Sequence, residues 1–458
     1  MRNNYKLLYH LYPEQGWMND PNGLCFFKGY YHVYYQYSKE AVGGLKYWGH
    51  FRSKDLLNWE SLDIFLSPDK DFDKSGVYSG SALVHENKLY IYYTGNVKEA
   101  GDYDYIYEGR QHNTVLVVSE DGMSAESRQV VLYNRDYPAD MSCHVRDPKV
   151  FAYDNKFYMV LGARSKDDKG QVLVYESTDL YNWNYINSIK TDYDFGYMWE
   201  CPDLFLLDGK WVLLLSPQGI ERKEFEAQNV YTNGYFILDG DFRSEYTLSK
   251  YRDLDFGFDF YACQTFEKDN KRYMLAWMGM PDAEYTAPTI EDGWQHAMTC
   301  FRELSLKDDK LIINPIKELE SIFEKPLDYI VNKSIEINLE TYAFDLRLSK
   351  LNSEFSLNFS EELDLVYKDK VLKLIHKDNA YGRGERKLYC EDIKELRILM
   401  DKSSVEIFVN SGMYTMTSRY YPKSKNIGIN FRGNAALSIA LLKENYVAVN
   451  LKYGLSIT

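Results

Sequence analysis

The sequence lacks the long apolar runs that membrane-spanning segments require. All of its stretches fall short of the roughly 20 consecutive apolar residues of a transmembrane helix. The first residues, MRNNYKLLYHLYPEQGW, contain no apolar run of signal-peptide length either. We therefore expect a soluble protein without a membrane partner that stays in the cytoplasm.

Spacing patterns typical of metal sites and disulfide frameworks are also missing. The six cysteines are scattered without a CxxC pair, which favours isolated reduced thiols. The eight histidines show no HExxH or similar ligand spacing. The sequence thus predicts no metal and no cofactor.

Positive charge is in deficit, since 54 Lys and Arg face 68 Asp and Glu for a formal net charge of -14. This argues against non-specific nucleic-acid binding and against an anionic membrane surface, although a locally basic pocket is compatible with it. With 458 residues, 45% of them hydrophobic and 27% charged, the chain can bury a large core. That length favours two domains.

Aromatic residues are abundant, at 16% of the chain, and many fall in a repeated unit. Each unit is an Asn/Gly/Lys turn followed by an aromatic and β-branched run, which predicts a hairpin. The five units are GYYHVYYQY at Gly29, NKLYIYYTG at Asn87, NKFYMVLGA at Asn155, GKWVLLLS at Gly209 and NKRYMLAWM at Asn270. Units about 55 to 70 residues apart, each with several short strands, predict a five-bladed β-propeller.

Carboxylates recur at one position of this repeat, roughly one strand before each unit. The five equivalent segments are NDPNG with Asp20, YSGSAL with Tyr78 and Ser79, RDPKV with Arg146 and Asp147, ECPDLF with Glu200, and YACQTF with Tyr261. Alone, NDPNG is a tight turn, RDPKV is a surface turn with an Arg–Asp pair, and ECP is uninformative. Because the first strand of each propeller blade lines the central channel, the shared offset predicts that the three acids converge at one end of it.

The motifs WMNDPNG, YSGSA, RDP and ECP, in that order, resemble the invertase-like glycoside hydrolases of family 32, which act on β-fructofuranosides. The resemblance extends through YWGHFRSKDLLNWE, DFYACQTF and, near the end, DKSSVEIFVNSG. It implies an all-β protein, with a five-bladed propeller followed by a C-terminal β-sandwich. We place the propeller at 1–315, a short linker with a helical turn at 316–326, and the sandwich at 327–458, where KSIEINLE and LDLVYKDKVLKLIHK alternate as strands do.

The resemblance also implies catalytic roles. Asp20 would be the nucleophile, Glu200 the acid/base and Asp147 the transition-state stabiliser, in a retaining mechanism whose reacting carboxyls lie about 5 to 5.5 Å apart. Such closeness makes simultaneous ionisation costly, so we expect Glu200 to stay protonated in a pocket walled by aromatics such as Trp199.

Seven further side chains match substrate-binding positions of the family. They are Asn19 and Gln36 as hydroxyl contacts, Trp48 and Tyr78 as pocket walls, and Ser79, Arg146 and Trp277 as additional contacts. Arg146 could instead orient Asp147. The resemblance implies proline where this sequence has Cys263, and Leu-Pro where it has Cys300-Phe301. These two departures affect loop geometry and not the acids.

The substrate expected is a small fructoside, either sucrose or sucrose 6-phosphate. Alternatives are an intracellular exo-fructanase on short inulin- or levan-type oligosaccharides, fructosyl transfer, or a sugar-binding propeller without chemistry. A phosphate would need cations at the pocket rim, for which Arg110 and His112 are candidates. Arg110 could equally pair with Asp102, Asp104 or Glu108. The oligomeric state is not predicted.

Overall fold

The computed structural model describes residues 5–125, 127–351, 353–424 and 426–450. Strands dominate, and the short 3-10 helices lie at Asn134–Asp136, Pro288–Asp292 and Lys317–Ile322. Within the described residues, no helix has the length and apolar character needed to cross a membrane.

The first part of the chain folds into a five-bladed β-propeller, as the repeat predicted. In each blade, consecutive strands pair antiparallel from the axis outward. Blades 1 and 2 contain β1 (Gly16–Phe27), β2 (Tyr30–Ser38), β3 (Tyr47–Ser53), β4 (Trp59–Leu66), β5 (Val77–His85), β6 (Lys88–Lys98), β7 (Arg110–Ser119) and β8 (Ser127–Leu132). Blades 3 and 4 contain β9 (Met141–Tyr153), β10 (Lys156–Ser165), β11 (Gly170–Ser177), β12 (Asn184–Ile189), β13 (Met198–Leu207), β14 (Lys210–Gln218), β15 (Gly234–Gly240), β16 (Tyr246–Leu248) and β17 (Arg252–Asp253).

Blade 5 closes the ring. It contains β18 (Tyr261–Lys268), β19 (Lys271–Met278), β21 (Ala297–Met298), β22 (Arg302–Lys307) and β23 (Lys310–Pro315), while β20 (Trp294–Gln295) pairs parallel with β1. The innermost strands β1, β5, β9, β13 and β18 contact one another in sequence, and β18 returns to β1. Residues on these five strands therefore face one axis.

The innermost hairpin of every blade has a two-residue turn with both φ angles positive. These turns are Lys28-Gly29, Glu86-Asn87, Asp154-Asn155, Asp208-Gly209 and Asp269-Asn270, with φ between 46° and 82°. Such turns match the right-handed twist of the strands they join and favour Asn, Asp and Gly. This backbone requirement explains the Asn/Gly signature of the repeat.

The second part of the chain is a β-sandwich. Its strands are β24 (Leu327–Leu339), β25 (Phe344–Ser349), β26 (Phe355–Phe359), β27 (Leu363–Lys368), β28 (Val371–Ala380), β29 (Arg383–Tyr389), β30 (Leu396–Asp401), β31 (Ser404–Val409), β32 (Tyr414–Arg419) and β33 (Ile427–Leu441). On one side of the long strand β33, its first half pairs with β26 and its second half pairs with β25. The two layers of the sandwich therefore meet along this strand. Side chains such as Phe344, Leu357, Leu365 and Ile429 fill the space between the layers. A last short strand, β34 (Val449–Asn450), pairs parallel with β4 of blade 1.

The two parts are joined by a cluster of buried charges that we call the ionic joint, formed by His10, Arg302, Asp401 and Glu406. The His10 ring lies 2.9 Å from Asp401 Oδ2 through Nδ1 and 2.7 Å from Glu406 Oε1 through Nε2. Arg302 Nη2 donates to Glu406 Oε2 at 2.6 Å. Burial alone would lower the pKa of His10, but its hydrogen bonds to the two carboxylates raise that pKa to about 9. His10 is therefore an imidazolium that ties the segment before β1 to the sandwich.

Candidate active site

Each innermost strand carries a bulge at the same depth in the channel. The pairing registers shift opposite Tyr78 to Gly80 in β5, Arg146 to Lys149 in β9 and Glu200 to Asp203 in β13, with equivalent shifts in β1 and β18. A bulge turns side chains away from strict alternation and is common beside active sites.

In three blades the bulge holds a residue other than glycine in the left-handed region. Asp147 has φ of 62°, Cys201 of 47° and Ala262 of 50°. Side chains other than those of glycine adopt this conformation at a cost of order 1 to 3 kcal/mol, and such residues cluster at functional sites. The local backbone is therefore held by its surroundings in the form that brings the acids together.

The bulges bring Asp20 of blade 1 and Asp147 of blade 3 to the same point. The Cys201 thiol of blade 4 lies between them, with Sγ 3.5 Å from Asp20 Oδ2 and 3.7 Å from Asp147 Oδ2. The Cys201 amide donates to Asp147 Oδ2 at 3.0 Å. Burial, together with Asp147 and Asp20, raises the pKa of this thiol well above its usual range, so it remains a neutral donor.

Asp20 is oriented by the residues that sequence analysis grouped with it. Ser79 Oγ donates to Asp20 Oδ2 at 2.6 Å, and Asn19 Nδ2 donates to Asp20 Oδ1 at 2.9 Å. Trp17 Nε1 in turn donates to Asn19 Oδ1 at 2.9 Å, which fixes the amide. Both carboxylate oxygens of Asp20 thus have a defined direction at the head of the pocket.

Glu200 completes the acid cluster, as we call Asp20, Asp147 and Glu200 together. It accepts hydrogen bonds from Arg146 Nη2 at 2.5 Å, from Tyr261 OH at 2.7 Å and from Gln218 Nε2 at 2.8 Å. Arg146 Nε lies 3.9 Å from Asp147 Oδ2, so this guanidinium bridges the second and third acids. Its closer partner is Glu200.

The electrostatics of the cluster single out Asp147. Burial raises the pKa of Asp147 to about 7, with contributions from Glu200 and Asp20, against the lowering effect of Arg146 and of the Cys201 amide. One carboxyl of the cluster therefore exchanges its proton near neutral pH.

Two of the predicted aromatic walls lie behind the pocket. Trp199 is fully buried in the core of blades 3 and 4, where Nε1 donates to the Phe195 carbonyl at 2.7 Å. The expectation that it walls the pocket is wrong, because side chains of adjacent strand residues point in opposite directions and Glu200 takes the inward one. Trp48 is also fully buried, and its Nε1 donates to the Tyr78 carbonyl at 3.1 Å, so it supports Tyr78 from behind.

Two further predicted contacts, Gln36 and Trp277, are buried. Gln36 Nε2 donates to the Val77 carbonyl at 3.1 Å, at the start of the strand that carries Tyr78 and Ser79. Trp277 lies in blade 5 with its ring centroid 6.0 Å from that of Trp17. Its Nε1 is buried and makes no hydrogen bond within the described structure.

The two predicted phosphate contacts differ in accessibility. His112 is fully buried, with its ring 5.7 Å from that of Tyr78, so it offers no surface to a phosphate. Arg110 makes no ion pair with the nearby acids, and Asp104 instead accepts from the amides of Ile106 and Tyr107. The alternative pairing of Arg110 with the acids of its own loop is therefore wrong.

Arg110 lies beside His144, which cannot accept a hydrogen bond from it. Its Nη1 is 3.1 Å from His144 Nε2, which also lies 3.0 Å from the Tyr105 carbonyl, while Arg146 Nη1 is 2.5 Å from His144 Nδ1. Burial, then Arg146 and Arg110, lowers the pKa of His144 to about 2, so the ring is neutral with one N–H. Donation from Nε2 to Tyr105 leaves Nδ1 to accept from Arg146, and Arg110 then has no acceptor on the ring.

Several residues of the site were not among the catalytic or binding residues predicted from the sequence. Tyr261 and Cys201 lie inside motifs that were aligned, so their positions in the repeat were the available signal. Gln218 is the last residue of β14 and has no such signal, whereas His144 lies in β9 two residues before the RDPKV motif. Lys46 lies in the loop before β3, with Nζ 3.0 Å from Ser38 Oγ and 5.0 Å from the centroid of the Trp17 ring. Burial lowers its pKa to about 8, against the effect of Asp20.

Comparisons with known proteins agree with this architecture. The model of the glycosyl hydrolases family 32 N-terminal domain matches residues 10–315, and that of the family 32 C terminal matches residues 344–444. Sucrose-6-phosphate hydrolase of Bacillus subtilis is 37% identical over 439 residues, covering 90% of this chain and 88% of the relative. The enzyme of the same name from Staphylococcus xylosus is 34% identical, covering 93% and 90%.

Solved structures give the same picture. Sucrose-6-phosphate hydrolase from Lactobacillus gasseri superimposes with a TM-score of 0.86 at 29% identity, covering 96% of this chain and 93% of that one. A family 32 β-fructofuranosidase from Bombyx mori superimposes with a TM-score of 0.85 at 30% identity, covering 98% and 96%. A mutant of the Bombyx mori enzyme was solved in complex with sucrose.

Proposed function

The chain belongs to glycosyl hydrolase family 32, and on that premise we propose that it releases fructose from sucrose 6-phosphate, and less efficiently from sucrose, with retention of configuration. The curated relatives named sucrose-6-phosphate hydrolase support the substrate class. The observation that carries the phosphate preference is Arg110, a guanidinium at the pocket with unmet donors. A cytoplasmic location accompanies this proposal, since phosphorylated sugars do not cross membranes unaided.

In the first step of the proposed mechanism, Asp20 attacks C2 of the fructosyl unit. A bond forms between C2 and a carboxylate oxygen while the bond from C2 to the glycosidic oxygen breaks, and Glu200 gives its proton to that oxygen. The hydrogen bonds from Ser79 and Asn19 support this role, because they hold the Asp20 carboxylate in one orientation.

In the second step, water attacks C2 and gives its proton to Glu200, which releases Asp20 and fructose. Tyr261, Gln218 and Arg146 support this exchange by holding both oxygens of Glu200 in place. Asp147 grips fructose hydroxyls, and its charge stabilises the oxocarbenium-like carbon when it is ionised.

The phosphate of the substrate would be bound by Arg110. Unlike His112, the Arg110 residue is partly exposed, and its Nη1 faces a ring nitrogen already engaged with Tyr105. A guanidinium suits a phosphate, because the two can form parallel charge-assisted hydrogen bonds. Lys98 lies close by, since its Nζ and the Arg110 guanidinium both approach the Tyr105 ring, at 5.2 and 6.0 Å.

The test is kcat/KM for sucrose 6-phosphate against sucrose, with Asp20→Asn as the inactive blank. We expect a ratio of about ten or more, equivalent to roughly 1.4 kcal/mol of transition-state binding. Arg110→Ala should reduce that ratio about tenfold, because an arginine contact to phosphate is charge-assisted. Arg135→Ala is the matched control, since Arg135 is an exposed arginine of the segment after β8, with a side chain 77% exposed.

Two results would contradict the proposal. A ratio near one in the wild type would leave a general β-fructofuranosidase. Equal losses for both sugars in Arg110→Ala would mean that Arg110 supports the pocket without contacting phosphate.

A further inference from the structure

The hairpin of β28 and β29 lies at one end of the sandwich sheet. It contacts two propeller loops, 228–232 and 280–287, which we call the mouth loops. Tyr381, just before β29, accepts the Thr286 amide through its carbonyl at 2.8 Å. On the other loop, Gln228 Nε2 donates to the Lys387 carbonyl at 2.7 Å, and the Lys387 amide donates to Gln228 Oε1 at 2.8 Å. Both mouth loops are thus hydrogen-bonded to one element of the second domain.

Arg383 forms the buried half of this connection. Its Nε and Nη2 donate to the two carboxylate oxygens of Asp259 at 2.9 and 2.8 Å, and Nη1 donates to the Thr286 carbonyl at 2.7 Å. The guanidinium also lies 4.3 Å from the centroid of the Tyr285 ring. Because Asp259 comes two residues before Tyr261, the same arginine fixes a mouth loop and the entry to the strand whose tyrosine holds Glu200.

Arg386 forms the outer half. Its Nε and Nη2 both donate to Asn229 Oδ1, at 2.9 and 2.6 Å, and Asn229 Nδ2 donates to the Gly257 carbonyl at 2.9 Å. The Arg386 guanidinium lies 3.8 Å from the centroid of the Phe258 ring. This arginine therefore holds the first mouth loop against the segment that leads into blade 5.

The mouth loops meet each other at the pocket. Tyr231 OH donates to Asp282 Oδ2 at 2.8 Å, which joins the loop of blade 4 to that of blade 5. The Tyr231 ring lies 6.2 Å from the ring of Tyr261, whose hydroxyl bonds Glu200. Tyr197 OH is 3.4 Å from Tyr231 OH and extends this wall toward blade 3. The wall lies on the side of Glu200, where the leaving group departs.

We propose that the β28–β29 hairpin sets the width of the pocket mouth through Arg383 and Arg386, and so restricts the enzyme to fructosides with a short leaving group. The proposal rests on the function proposed above. In that reaction the fructosyl unit occupies the pocket beside the acid cluster, and the rest of the substrate extends past the wall that the joined mouth loops form. Because two arginines clamp these loops from outside, the Tyr231–Asp282 contact stays closed and limits the space for a longer leaving group.

The experiment compares sucrose with 1-kestose, a trisaccharide whose leaving group is one sugar longer. The measured quantity is the ratio of kcat/KM for sucrose to kcat/KM for 1-kestose, which does not depend on the fraction of enzyme that is folded. We expect Arg386→Gln and Arg383→Lys to lower this ratio threefold or more. Arg347→Gln is the matched control, since Arg347 is a sandwich arginine paired with Asp345 and Glu320, and it should leave the ratio unchanged.

The outcomes separate the two proposals. A ratio unchanged within twofold in both variants, with a lowered melting temperature, would reduce the hairpin to a structural support and overturn the inference. If the wild type hydrolyses sucrose but not 1-kestose, measurable release of fructose from 1-kestose by Arg386→Gln supports the inference, and none refutes it. A wild type that cleaves no fructoside refutes the proposed function instead.

Discussion

The acid cluster and the ionic joint each contain a buried aspartate, Asp147 and Asp401, and the two differ in how completely their carboxylates are hydrogen-bonded. In the joint, Asp401 accepts from the amides of Leu8, Tyr9 and Lys402 as well as from His10. In the acid cluster, Asp147 has one backbone donor, the Cys201 amide, and an arginine 3.9 Å away.

The pKa values follow this difference. Burial would raise the pKa of Glu406 in the joint, but Arg302 and His10 lower it to about 2, whereas burial raises the pKa of Asp147 to about 7. Saturated carboxylates hold the fold together, and carboxylates with free acceptor positions are available to bind a substrate.

The largest expected effect breaks the acid cluster without touching the joint. Asp20→Asn should lower kcat by roughly 10⁴-fold or more, because it would remove the proposed nucleophile. The melting temperature should change little, since Ser79 and Asn19 can still hydrogen-bond the amide. Steady-state release of fructose and a thermal unfolding curve on the same sample test both parts, and a variant with kcat within tenfold of the wild type would contradict the assigned role.

The second expected effect concerns stability, and it comes from loss of the His10 charge in the ionic joint while the acid cluster is unchanged. The pKa of His10 is about 9 in the folded chain against an unfolded value near 6.5, so its stabilisation is complete below about pH 6.5 and is lost as the pH rises through 9. That shift corresponds to about 3 kcal/mol. The free energy of unfolding in denaturant should fall between pH 7 and pH 10, and His10→Gln should remove that contribution to the slope. Identical slopes in the two proteins would show that His10 is not the group responsible.

The smallest expected effect is a shift in the pH dependence of kcat/KM that Asp147 of the acid cluster would cause. If ionised Asp147 stabilises the transition state, kcat/KM should rise with pH through about 7 in the free enzyme. Arg146 opposes the rise in the pKa of Asp147, so Arg146→Gln should move this limb of the profile to higher pH while lowering kcat. A pH–rate profile of kcat/KM for each protein measures it, and a limb that stays in place would exclude Asp147 as its source.

The propeller and the convergence of motifs were accessible from the sequence because both depend on local signals. Two-residue turns demand positive φ at both positions, so Asn155 and Asn270 recur where Gly29 and Gly209 also occur. The acids share an offset from those turns. Fold class needs little more than this repetition.

The direction of individual side chains was not accessible, because the bulges reset the alternation. Asp147, Cys201 and Ala262 adopt left-handed φ without being glycine, and this leaves no composition signal. The error at Trp199 has a simpler cause, because ordinary alternation along β13 already points it away from Glu200, and Trp48 on β3 is likewise fully buried behind the pocket. One departure from the family pattern has a local cause, since the Cys263 amide donates to Asn233 Oδ1 at 3.2 Å and a proline there could not.

The ionic joint lay beyond any local pattern, because its partners are far apart in the chain. His10 and Asp401 are separated by 391 residues. No periodicity or motif links such positions, and single residues of these types are usually solvent-exposed. The joint became visible only with the tertiary structure.

The separation of 391 residues between His10 and Asp401 also delays formation of the ionic joint during synthesis of the chain. At about 5 to 20 residues per second, a ribosome that has made His10 needs roughly 20 to 80 s to reach its partners in the sandwich. Throughout that interval the segment before β1 lacks its contacts with the sandwich, although β20 and the Met298 amide of blade 5 bond it once the propeller has been synthesised. The ionic joint is therefore the last connection of this segment to form, after the blades that surround Asp20 have been made.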